Sequence, residues 1–187
     1  MTLQAKLVRM PALIVLAVTA LAAPSHAQVL NSGAQTIALQ AVLNDSISVS
    51  LSSSAVNFNL TQGSASNPGS VSVTATTSWL LKPSVGNLTL YAFFSSSSSA
   101  LTNGAGNNIP SADFQLSDNA GPFTALTSTV PFGGANAGLL ISQIKILGNN
   151  RTGTRTDVMN FNINLTTLPN LPAGTYTGTL TIQAQAI

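Results

Sequence analysis

Cysteine and glutamate are absent from this chain, and its one histidine is His26. Charged residues make up only 5% of it. Residues 1–27 read as a secretory signal: Lys6 and Arg9 at the start, an apolar stretch over 13–23, and Ser25-His26-Ala27 with small residues at the first and third places. With that segment set aside, the ionic side chains of residues 28–187 are Asp45, Asp113, Asp118 and Asp157 against Lys82, Lys145, Arg151 and Arg155, which balance. The sequence pI near 9.4 therefore belongs partly to the signal and is not the footprint of a nucleic-acid binder.

These absences exclude chemistry. Acid–base catalysis near neutral pH draws on His, Glu, Lys or Cys, and neither a Ser-His-Asp nor a Cys-His arrangement can be built from what remains. Zinc held by thiolate or imidazole is excluded by the same inventory. No motif surrounds any of the Asp or Lys residues, so the composition argues against an enzyme and implies no cofactor. No inter-sheet disulfide is available either, and the core must supply stability alone.

What the chain does have is alternation. Aliphatic and aromatic residues recur at every second position in run after run, which low-charge disordered segments do not show. The runs are 36–43, 46–51, 56–60, 71–75, 88–94, 114–116, 139–141, 144–146, 161–165 and 176–187. Turn signals such as 62–69 and Val85-Gly86-Asn87 separate them. No segment of residues 28–187 has convincing helical period, and none approaches the roughly 18 apolar residues needed to span a bilayer. The expected fold is all-β, an Ig-like antiparallel sandwich, with a barrel as second choice. Residues 28–44 form an N-terminal extension and residues 45–187 the sandwich domain.

Smaller features have a plain and a sharper reading. Residues 95–110, opening on five serines, read as a long mobile surface loop, with ligand binding as the alternative. Trp79, between aliphatic neighbours, reads as core rather than as a sugar-stacking platform. Asp113 and Asp118 read as solvated rather than as calcium ligands, since no glycine-bearing acidic loop accompanies them. Arg151 and Arg155, in the charge-dense stretch 148–157, read as a hairpin loop with a local ion pair or as a docking tip for a partner or an anionic glycan. Five Asn-X-Ser/Thr sequons, at Asn44, Asn59, Asn87, Asn150 and Asn164, are what chance gives a chain this rich in Asn and Thr.

Three stretches carry a family resemblance: Ile37-Ala38-Leu39-Gln40-Ala41-Val42-Leu43 leading into Ile47-Ser48-Val49, Val56-Asn57-Phe58-Asn59-Leu60, and the ending from Pro172 through Gly174-Thr175-Tyr176 to Ile182. Together they resemble the spore coat protein U domain, a relative of archaic chaperone–usher pilus subunits. The likeness covers both ends of residues 28–187 and leaves 95–160 unmatched. In that family a disulfide joins positions where this chain has about Ser46 and Ala75, and an acidic residue after the tyrosine is replaced here by Gly178. The resemblance implies an incomplete sandwich that receives its missing strand from the N-terminal segment of a neighbouring copy or related subunit. It also implies a periplasmic chaperone, an outer-membrane usher, and a final location at the cell surface or beyond.

Residues 35–43 suit the donor role, with Ile37, Leu39, Ala41 and Leu43 on one face and Thr36, Ala38 and Gln40 on the other. Burying Ile37, Leu39 and Leu43 would contribute roughly 1.5–3 kcal/mol each, while ordering the segment costs about 1–2 kcal/mol per residue. The balance does not separate a strand donated to a neighbour from the first strand of a closed sandwich. Two functional classes follow: a structural or adhesive subunit of a pilus or coat, or a secreted monomeric binding module for polysaccharide or another surface ligand.

Overall fold

The computed structural model describes residues 35–187, so the signal expected over 1–27 and the start of the extension lie outside the described residues. Chain contacts divide the molecule after Ala41, and each part is taken by itself. Residues 35–41 carry no strand, and Ile37 and Leu39 are 85% and 91% exposed. The strand expected over 36–43 is thus not formed; a lone alternating ribbon has no ladder partner to hold it extended.

The rest is an antiparallel sandwich. Its strands are β1 (Ser46–Leu51), β2 (Val73–Leu80), β3 (Asn87–Phe93), β4 (Leu101–Thr102), β5 (Asn108–Ile109), β6 (Phe114–Asp118), β7 (Thr124–Ala125), β8 (Gly138–Lys145), β9 (Thr152–Ile163) and β10 (Thr181–Ala186). One sheet runs β1-β2-β9-β6-β7 and the other β10-β3-β8, with β4 and β5 as a separate small hairpin. Among the described residues the only helical piece is the 3-10 turn Ser111–Asp113.

Alternation produces this arrangement directly. Along β2 the inward residues Val73, Ala75, Thr77 and Trp79 are buried and their neighbours are not. Leu90 and Ala92 from the second sheet, with Phe94 just beyond β3, meet Val73, Leu116, Met159 and Ile163 from the first in one core. A smaller cluster of Trp79, Leu81, Leu88 and Ile146 closes one end, packed by Ala184 and Ala186. There Trp79 is core, its indole N–H donating to the carbonyl of Asn150 at 2.9 Å. Residues 139–141 and 144–145, read as parts of separate runs, belong to one strand, β8, and the register shift opposite Leu90 and Tyr91 leaves Ile141 as an extra residue.

Several expectations are corrected. Residues 95–110 are not a bare loop: they fold back as the β4–β5 hairpin, and the apolar Ala100 and Ile109 are buried beneath it. Residues 152–157 are the first half of β9 rather than a loop, because Arg155 and Asp157 share the inward face and pair with each other. Residues 56–60 and 176–180 are not strands, although both alternate. Ser46 and Ala75 are not cross-strand neighbours, since β1 sets Ser46 opposite Leu80 and Leu51 opposite Ala75.

Candidate functional site: an interlayer groove

Where β1 ends, the two sheets separate and leave an open cleft of about 1040 Å³. One wall is the chain after Leu51, with Val56, Phe58 and Leu60 half-buried against the core and Asn57 and Asn59 turned out. The facing wall is the stretch before β10, with Leu171, Tyr176 and Leu180 inward, continued by Ile182. Phe94, Phe114, Met159 and Phe161 make the floor.

The floor is rigid. Phe114 meets Phe58, Phe94 and Phe161 at centroid separations of 5.8, 5.1 and 5.9 Å, the first two edge to face, a geometry worth about 0.5–1.5 kcal/mol per pair beyond burial. The first wall is anchored by buried amides. Asn67 accepts from the Thr61 N–H at 2.6 Å and donates to the Ile163 carbonyl at 2.8 Å. Its own N–H donates to Asn162 Oδ1 at 2.8 Å. Gly69 allows Val56 to lie close, because a Cβ there would stand 2.7 Å from Val56 Cγ1. On the facing wall, Gly178 crosses the Ala100 carbonyl oxygen so closely that any Cβ would collide with it. One hydrogen bond spans the groove, from Gln62 Nε2 to the Leu171 carbonyl at 3.2 Å.

No charged residue lines this cleft. Its floor is aromatic and aliphatic, its rims carry Ser, Thr and Asn, and its two flanking backbones leave most of their N–H and C=O groups without a partner among the described residues. Among the described residues no three His, Cys, Asp or Glu side chains gather as a metal site.

The four residues proposed as donors stand together in sequence and are all exposed, Leu43 by 80%. Arg151 lies just before β9, where its carbonyl accepts the Leu81 N–H at 2.8 Å. Arg155 is held elsewhere: its Nε and Nη2 reach Asp157 Oδ1 at 2.8 and 2.7 Å. That carboxylate is fully buried and its Oδ2 also accepts from Ser142 Oγ on the opposite sheet at 3.1 Å, so the ion pair tethers a guanidinium that stays partly exposed. Asp113 and Asp118 are apart as well; Asp113 accepts from Thr167 Oγ1 at 2.9 and 2.8 Å, whereas Asp118 lies beside Asn119 and Asp157. The groove walls were missed from sequence, although residues 56–60 and 176–180 did signal as alternating runs.

The described residues form an all-β antiparallel sandwich with an interlayer groove whose floor is apolar. No family model matches the chain, and no curated protein or solved structure is significantly similar to it.

Proposed function

We propose that this protein is a secreted structural or adhesive subunit that polymerises by donor-strand exchange, residues 35–43 of one copy filling the groove of the next. The observation that carries the reading is a groove with an apolar floor, open among the described residues, in a chain that also holds an exposed ribbon of matching alternation. The resemblance to spore coat protein U domains and archaic pilus subunits points the same way, and with it to a periplasmic chaperone and an outer-membrane usher. Such a chaperone would cover an exposed apolar ribbon that otherwise invites aggregation.

Chain geometry favours a neighbour over self-closure. The extension joins the sandwich at Ser46, beside Leu80, whereas the groove begins at the other end of β1, at Leu51. That is about 17 Å away, along a stretch where β1 and β10 approach each other. Residues 35–43 span about 27 Å when extended, so doubling back would bring only the first few residues to their own groove. A tight turn at Asn44-Asp45 would also set Leu43 opposite Ser46. Ile37, Leu39 and Ala41 would then share the outward face of Ser48 and Ser50.

Deleting residues 28–43 is the test. The truncated chain is expected to stay monomeric by size-exclusion chromatography where the complete chain forms polymers. Polymers of unchanged abundance from the truncated chain would refute strand donation by this segment, and a complete chain that stays monomeric would make the monomeric binding module the better account.

A further inference from the structure

We infer that one end of the sandwich is a binding surface for an anionic polysaccharide, carried by Lys82, Lys145 and Arg151. The inference does not rest on strand exchange.

The three cations are far apart in sequence, and the fold brings them to one place. Lys82 follows β2, Lys145 ends β8 and Arg151 precedes β9. Leu80 pairs with Thr152 and the Leu81 N–H donates to the Arg151 carbonyl at 2.8 Å, so the backbones at Lys82 and Arg151 run side by side. Asn150 Nδ2 donates to the Lys145 carbonyl at 2.9 Å, and Asn150 Oδ1 accepts the Leu147 N–H at 2.6 Å. These two bonds fold 145–151 into a tight connection that brings Lys145 toward Arg151. Beneath it Trp79, Leu81, Leu88 and Ile146 pack as the cluster that closes this end. Lys82 and Lys145 are exposed and Arg151 is half-buried. Ile187 reaches the same end, its oxygen taken up by the N–H groups of Gly86 and Asn87, each at 2.8 Å.

Charge complementarity decides the occupant. Arg155, the fourth cation of the described residues, is bound to Asp157, so the remaining positive charge gathers at this end. Asp45 alone opposes it, meeting Lys82 Nζ at 3.5 Å in an exposed pair of the kind that contributes little. Lys145 and Arg151 have no carboxylate partner among the described residues. A second copy of the chain does not supply one. Asp113 and Asp157 are buried, Asp118 has one oxygen buried and the other bonded to Asn119, and Asp45 belongs to the cluster itself. An anionic partner is therefore another kind of molecule.

The surroundings favour a sugar chain over a lipid surface. Exposed Ser84, Asn149 and Thr152 set hydroxyl and amide groups beside the cations, and these are the partners that sugar hydroxyls need. Leu147 is exposed in the same connection, but one leucine is too little apolar surface to seat in a bilayer. Arg151 presents a planar fork to a carboxylate or sulfate, while the two lysines act as mobile point charges. Cations carried on separate strand ends match charges repeated along a polymer.

Binding of residues 28–187 to polygalacturonate tests the inference, with neutral dextran and phosphatidylglycerol vesicles as comparisons and all samples at matched oligomeric state. This span leaves out Lys6 and Arg9. Polygalacturonate is expected to bind at about 20 mM salt and to weaken about tenfold or more by about 200 mM, as screened surface contacts do. Dextran should not bind, and the vesicles should bind about tenfold more weakly than polygalacturonate or worse. Combining Lys82→Ala, Lys145→Ala and Arg151→Ala should cost about tenfold or more in affinity, whereas Lys82→Arg, Lys145→Arg and Arg151→Lys together should keep most of it. If the alanine combination melts lower than the native chain, Lys145→Ala alone, at an exposed side chain, is the deciding variant and should weaken binding about threefold. No binding at low salt, equal binding to dextran, or alanine variants of native affinity would overturn the inference. Vesicles bound as tightly as polygalacturonate would overturn it in favour of a lipid surface. None of these outcomes depends on polymerisation, so the strand-exchange reading stands or falls separately.

Discussion

Asp118 shows how a nearly uncharged protein can still depend on pH. Its Oδ1 is buried with no partner among the described residues, and Asn119 Nδ2 donates to its Oδ2 at 3.1 Å. Burial, followed by repulsion from Asp157, pushes its carboxyl above the ordinary aspartate value, and Arg155 and Asn119 offset this only in part. A raised carboxyl holds its proton more tightly in the folded chain than in the unfolded one. The stability this gives is complete below the ordinary aspartate pKa of 3.8 and is lost as pH rises through the raised value. Asp118→Asn keeps the shape and removes the charge. Its melting temperature at pH 7 is expected to exceed the native protein's, with the difference closing toward pH 3. An equal or lower melting temperature at pH 7 would show that Arg155 already neutralises the site. The measurement is readable because residues 28–187 contain only three other carboxylate side chains, Asp45, Asp113 and Asp157.

Among the elements, the groove wall at 56–60 depends on a residue outside it. Asn67 is buried and ties Thr61 to Ile163 through its side chain. In Asn67→Ala the Thr61 N–H and the Ile163 carbonyl lose this partner, an expected loss of about 2–3 kcal/mol in urea unfolding with little change in slope. A loss under about 0.5 kcal/mol would mean that water replaces the amide without penalty. Sequence made the aliphatic strands legible, because runs such as 88–94 and 114–116 send alternate side chains into one core. It concealed the first half of β9, where the inward residues are Gly153, Arg155 and Asp157. Gly153 leaves room for the Trp79 ring, and the two charges satisfy each other, so no hydropathy signal marks them. The groove was concealed for a different reason. Alternation reports which way side chains point, not whether a partner strand lies alongside, and residues 56–60 and 176–180 point correctly beside an empty slot.

At the scale of the whole molecule, a sandwich fold and the proposed strand exchange place opposite demands on apolar surface. A sandwich would ordinarily cover its apolar edges, yet Ile37, Leu39, Val42 and Leu43 are all exposed here, and the interlayer groove is open. If both are halves of one joint, a change confined to the ribbon should abolish assembly and leave the subunit's own stability alone. Leu39→Asp provides that separation, because Leu39 is 91% exposed. Its melting temperature as a monomer should stay within about 1 °C of the native chain's, since surface changes of this kind cost at most about 0.5 kcal/mol. Polymer yield should fall at least tenfold, because a carboxylate carried into the groove would be desolvated over its apolar floor with no cation along the lining to meet it. A variant with native polymer yield would show that the ribbon is not the connector. A variant that melted several degrees lower would show that Leu39 supports its own subunit, which is what a strand folded back into its own groove would require.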